Sequence, residues 1–123
     1  MIDVAEIRAW NWLQNTNGNV GKVIGIDVDS MGFLVIMQYH PNSTSFSHPG
    51  MLKPITLTGE ILEKNGFELK EGIYVLKSNP RLGWYPKEKQ LIVHYCTFPV
   101  KIEFVHQMQN IMLDLGIKEN FVI

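Results

Sequence analysis

A chain of 123 residues that is 46% hydrophobic and 11% aromatic can bury a core and is too apolar to remain disordered. Its 11 basic and 12 acidic side chains leave a formal charge of -1, so no molecule-wide field draws it to nucleic acid or an anionic membrane, and any such binding must be local. Cys96 is the single cysteine, which excludes an internal disulfide, and no basic-apolar-small leader opens the sequence, so a reducing cytoplasm is the expected compartment.

Taken in chain order, Arg8 to Gln14 reads as a strand, and NTNGN supplies an Asn-Gly pair suited to a tight turn. KVIGIDV then alternates, with Ile24, Ile26 and Val28 forming an apolar face opposite Val23, Gly25 and Asp27. The turn DSMG leads into a third strand, GFLVIMQY, so the opening is a β-meander of the kind that begins a small curled barrel. From Ser30 to Leu52 there is no Asp, Glu, Lys or Arg, yet Gln38, His40, Pro41, Asn42 and Pro49 prevent the stretch from spanning a bilayer. No membrane association is expected, and HPNSTSFSHPG reads as a loop.

ITLTGEILEKNGF carries the marks of a short helix: Thr58 as the starting oxygen, Glu60 in the first turn, Lys64 in the last, and Asn65-Gly66 as the exit. With Gly66 left-handed, Phe67 falls where it packs back on Leu62. IYVLKS and QLIVHYCTF are rich in branched and aromatic residues and predict further antiparallel strands, separated by SNPRLGWYPKEK. The expected class is α+β: an N-terminal antiparallel meander, a short helix, antiparallel strands and a C-terminal helix packed on the sheet. Residues 1–123 read as a single compact domain, or as two lobes, 1–53 and 54–123.

On a helical wheel, Ile102, Phe104, Val105, Met108, Ile111, Met112, Leu113 and Leu115 share one broad arc, opposite Glu103, Gln107, Asn110 and Asp114. Gln109 lies inside the apolar arc and His106 at its border. A core-facing amide must find partners, since an unpaired one costs about 1–3 kcal/mol. Gln109 and His106 are therefore read as structural polar residues, with Gln109 tying down loop or strand backbone; lining a pocket is the alternative.

Two motifs carry a resemblance. LTGEILEKNGF, followed by strands and then FVHQMQNIMLDLG, resembles a group of small proteins from Bacteroides-type bacteria and their phages. In that group a segment similar to PLTEEILEKNGF precedes a terminal YVHQLQNLY-like helix. The likeness covers roughly Pro54 to Gly116 and, more loosely, the opening meander. Gly59 stands where a Glu is more usual in the group, which should weaken the first helix slightly. The resemblance implies kinship and a mobile-element origin; the group brings no activity, so no catalytic residue is carried over.

The chemistry-bearing residues are sparse. His94 and Cys96, two apart on an expected strand, would share a face, but two ligands make no metal site, and His40 and His48 match no zinc spacing. Cys96 with His106 is the only conceivable nucleophile and base, and no glycine-rich phosphate loop appears. No catalytic residue, metal or cofactor is expected, and the chain is read as not an enzyme. The stretch 77–89 has the best local binding pattern: Lys77, Arg81, Lys87 and Lys89 surround Trp84 and Tyr85, pairing phosphate-seeking charge with rings. Trp10, Trp12, Trp84, Tyr39, Phe46 and Met51 offer further contact surface. The expected function is that of a non-enzymatic interaction or accessory protein acting by protein–protein contact, with nucleic-acid binding through 77–89 as the alternative and homo-oligomerisation as a subsidiary expectation.

Overall fold

The computed structural model describes residues 2–40, 43–117 and 120–123, with His40 described for its backbone alone. Its contacts divide the chain into two units, Met1–Ile55 with Phe104–Gly116, and Thr56–Glu103 with Ile117–Ile123. The class is α+β, as the sequence predicts. The terminal helix, expected in the second lobe, belongs to the first unit, because its polar side chains bind the backbone that precedes the first strand.

In the first unit a 3-10 turn, Val4–Glu6, precedes an antiparallel sheet that curls into a half-barrel. Its strands are β1 (Trp12–Asn15), β2 (Val20–Asp29), β3 (Gly32–His40), β4 (Ser43–Ser47) and β5 (Leu52–Lys53), in the order β4-β3-β2-β1-β5. The Asn-Gly turn forms as expected: Gly18 is left-handed, and the Asn15 side-chain oxygen accepts from the backbone N–H groups of Asn17 and Asn19, each at 2.9 Å. Leu13, Val23, Val35, Met37 and Leu52 form the core with Ile2 and Ile7. Gly21 leaves room for the Tyr39 ring, since a Cβ there would lie 2.8 Å from Tyr39 Cδ1.

Three expectations are corrected here. The first strand begins at Trp12 rather than Arg8, because Trp10 is left-handed (φ 72°) and breaks the extension. The face of Ile24, Ile26 and Val28 is exposed while Val23 is in the core. Ile24 is the residue skipped by a register shift between Val23 and Gly25, past which Ile26 stands opposite the core residue Val35; Ile26 and Val28 are exposed because the outer end of the β2–β3 pair runs on past the core. The third correction concerns HPNSTSFSHPG, expected as a loop: Ser43–Ser47 pairs with β3 as β4, while Pro41 and Asn42 lie outside the described residues.

The second unit holds a short helix, α1 (Gly59–Lys64), and a second sheet of β6 (Phe67–Lys70), β7 (Ile73–Leu76), β8 (Leu82–Tyr85), β9 (Gln90–Val93) and β10 (Cys96–Thr97), paired in sequence order. The Thr58 hydroxyl accepts from Ile61 N–H at 3.3 Å, Gly66 is left-handed, and Leu62 and Phe67 are both buried. QLIVHYCTF is two strands rather than one: His94 and Tyr95 are both left-handed and make a two-residue hairpin turn. His94 and Cys96 therefore do not share a strand face. The chain ends by returning to α1, where Asn65 exchanges hydrogen bonds of 2.7 Å with both the N–H and the carbonyl of Val122.

The terminal helix, α2 (Val105–Asp114), belongs to the first unit and contacts β1. Phe104 at its N-cap has no side-chain acceptor, and Gln107 Oε1 instead accepts from Phe104 N–H at 3.1 Å. Val105, Met108 and Met112 are buried, but Leu113 and Leu115 are exposed, because Leu115 ends the helix and the inward arc is narrower than the wheel implies. No helix among the described residues is long and apolar enough to cross a membrane.

Candidate functional site

The 77–89 stretch does not form the platform its composition suggests. Lys77 and Arg81 flank the β7–β8 turn, while Lys87 and Lys89 lie in the β8–β9 turn, so β8 separates the two pairs by about 13 Å of extended chain. Trp84, the central ring of the expected patch, is 1% exposed. Its indole N–H donates to the Ile102 carbonyl at 2.9 Å, and Lys89 Nζ lies 6.0 Å from its ring centre. Trp84 is thus a core residue of the second unit with its polar handle satisfied. Tyr85 is exposed beside exposed Lys87, and Lys77 and Arg81 are exposed on their own turn. The alternation of Leu82 and Trp84 onto one strand face is the signal that foretells this burial.

Gln109 does what the sequence requires of it. Its Oε1 accepts from Trp12 N–H at 2.9 Å and its Nε2 donates to the Trp10 carbonyl at 2.9 Å, so one amide grips both ends of the Trp10–Trp12 segment. Neighbouring groups extend the grip. Asn110 donates to the Glu6 carbonyl at 2.7 Å and accepts from Asn11 Nδ2 at 2.8 Å, and Asn11 in turn accepts from Arg8 N–H at 2.7 Å. Arg8 pairs with Asp114 at 2.7 Å, placing a cation beside an acid in the last helical turn, where the helix dipole alone disfavours it. The Arg8 guanidinium is held above its ordinary pKa chiefly by the hydrogen bond to Asp114; burial opposes this, and the charge of that carboxylate adds a lesser upward push. Asn110 and Asp114, expected on the solvated face, both belong to this clamp, Asp114 while remaining exposed.

What the clamp holds is Trp10. A tryptophan in the left-handed region costs about 1–2 kcal/mol in backbone strain and persists only when its surroundings over-determine it. Here the Trp10 N–H donates to the Val23 carbonyl at 2.6 Å and its own carbonyl is taken by Gln109. Trp10 is nonetheless 63% exposed. Lys22, directly across the ladder from Trp12, brings its ammonium 5.0 Å from the Trp12 ring centre and 6.0 Å from that of Trp10. The result is a fixed surface of two indoles around one cation, on the half-barrel face opposite its core. Trp10, Trp12 and Gln109 stand out in the sequence; Lys22 and the particular backbone that Gln109 grips carry no signal there, because they meet only through strand pairing and a contact 99 residues long.

His106 is 2% exposed, and neither ring nitrogen finds a hydrogen-bond partner among the described residues. It stacks on Phe104 with ring centres 6.0 Å apart. Burial holds its pKa below the ordinary histidine range, and the Glu6 carboxylate opposes that more weakly. Cys96 is exposed.

No protein-family model, curated protein or solved structure matches the chain.

Proposed function

We propose that the protein is a non-enzymatic interaction or accessory protein that works by protein–protein contact, with Trp10, Trp12 and Lys22 as the contact surface. The observation that carries this reading is Trp10: an exposed indole kept in a strained backbone conformation by a dedicated amide clamp. Strained backbone of this kind clusters at binding sites and ligand clamps. Rigid aromatic anchors with few rotamers to freeze are the residues that dominate protein interfaces. The partner that fits is one presenting an apolar side chain to the indole and a carboxylate to Lys22.

Nucleic-acid binding through 77–89 has less support, since Trp84 is buried and the cations sit on separate turns. The proposed compartment is the cytoplasm, on the strength of the lone cysteine. A phage or mobile-element origin belongs to the same proposal and rests on the two sequence motifs.

The test is Trp10→Gly, which removes the ring and supplies the one residue at ease with that backbone. Unfolding midpoints in urea should be unchanged or raised, by up to about 1 kcal/mol, while a partner captured by the wild type in a nuclease-treated lysate should be lost. A drop in stability of more than about 2 kcal/mol with capture intact would make Trp10 a structural residue and overturn the reading.

A further inference from the structure

Strand β4 ends the half-barrel sheet, and its outer side is free of backbone pairing among the described residues. Proteins guard such edges with charge, proline or brevity, because an open row of backbone donors and acceptors templates another strand. The other sheet edges are guarded in just these ways. On the opposite side of the half-barrel, β5 is two residues long, ends in Lys53 and is followed by Pro54. In the second unit, β6 carries Glu68 and Lys70, and β10 is again two residues long. β4 has five residues with neither a charge nor a proline within them: its sequence is STSFS, inside the 30–52 stretch that lacks any Asp, Glu, Lys or Arg.

It is also held extended. His48, just beyond it, donates from Nδ1 to the Phe33 carbonyl at 3.0 Å and sets Nε2 3.5 Å from Asp29, tying the strand's end to β3 and β2. Ser45 and Ser47 oppose the core residues Met37 and Val35, so Thr44 and Phe46 point to the other face, where Phe46 is 62% exposed.

We propose that β4 is a homodimerisation edge, pairing antiparallel with β4 of a second copy of this chain about a two-fold axis at Ser45. The pattern is self-complementary in that register. Ser45 meets its own symmetry mate, each Phe46 lies opposite the other copy's Thr44, and the two Phe46 rings become diagonal neighbours on one face, within aromatic reach. No like charges meet, because the strand has none. This contact goes beyond the Trp10 surface and does not depend on it.

The test uses the full chain, with molar mass followed by light scattering and sedimentation across a concentration series. The wild type should approach twice the chain mass as concentration rises. Phe46→Lys places two ammonium groups diagonally across the axis and should raise the dimer dissociation constant about tenfold or more, as should Phe46→Glu. Mixing the two variants should restore the dimer as a heterodimer. Circular dichroism of each variant alone should match the wild type, since the side chain is exposed. A wild type that stays monomeric up to about 1 mM, or a dimer that Phe46→Lys leaves intact, overturns the proposal. So does a pair of variants each weakened but not rescued by mixing.

Discussion

Single side chains decide more here than their number suggests. Gln109→Ala leaves the Trp12 N–H and the Trp10 carbonyl without their partner and should lower stability by about 1–3 kcal/mol in urea titration. Gln109→Glu keeps the acceptor but turns a carboxylate on the Trp10 carbonyl, so it should be no better than Ala. Arg8→Ala removes an exposed ion pair and should cost about 1 kcal/mol or less.

His106 makes the pH prediction at the same scale. Its folded pKa lies below that of the unfolded chain, so between the two the unfolded state binds a proton that the folded state does not. Its neutral-ring stability is complete above the ordinary histidine range and is lost as pH falls through that range toward the lower folded value, with a limiting slope of about 1.4 kcal/mol per pH unit. Melting temperatures measured against pH should show this decline in the wild type, and His106→Phe should flatten it. Equal slopes in both proteins would assign the decline to other groups. Gln109 could be placed from the sequence because an amide within an apolar arc has to be answered by something polar. Trp10 could not, because no sequence signal announces a left-handed tryptophan.

Among the elements, α1 shows a local rule overridden by its neighbours. Gly59 occupies the first helical position, where most residues favour the helix more, yet a Cβ there would run into the Tyr74 hydroxyl. Gly59→Ala should therefore destabilise the protein despite its better helix propensity, and Tyr74→Phe should recover part of the loss. Denaturation of the two single variants and the double variant measures this as a coupling energy, and additive effects would show that the contact is relaxed at no cost. The cap and exit of α1 were legible because Thr58 and Asn65-Gly66 act within one turn of chain. Elsewhere the pattern and the chemistry of the chain part company. β4 has only one apolar residue to mark it, and the left-handed turn after β9 is made by His94-Tyr95 rather than the Asn or Gly that would have announced it.

For the whole molecule, the order of segments matters as much as their content. Each unit is assembled from separated stretches of chain, and the last residues close the second one: Phe121 is buried and Val122 is bound at both backbone groups by Asn65. Truncation after Gly116 should lower stability by at least about 3 kcal/mol, read as a shift of the urea midpoint, whereas a tail of no structural consequence would leave the midpoint unmoved.

The amide grip on the tryptophan loop spans 97 and 99 positions, and the Arg8 pair spans 106. During synthesis, the first ten residues leave the ribosome long before the helix that will fasten them exists. A nascent or prematurely ended chain can carry every residue of the indole surface and still lack the means to hold it in shape. Recognition through that surface would then double as a check that translation had passed the helix that fastens it.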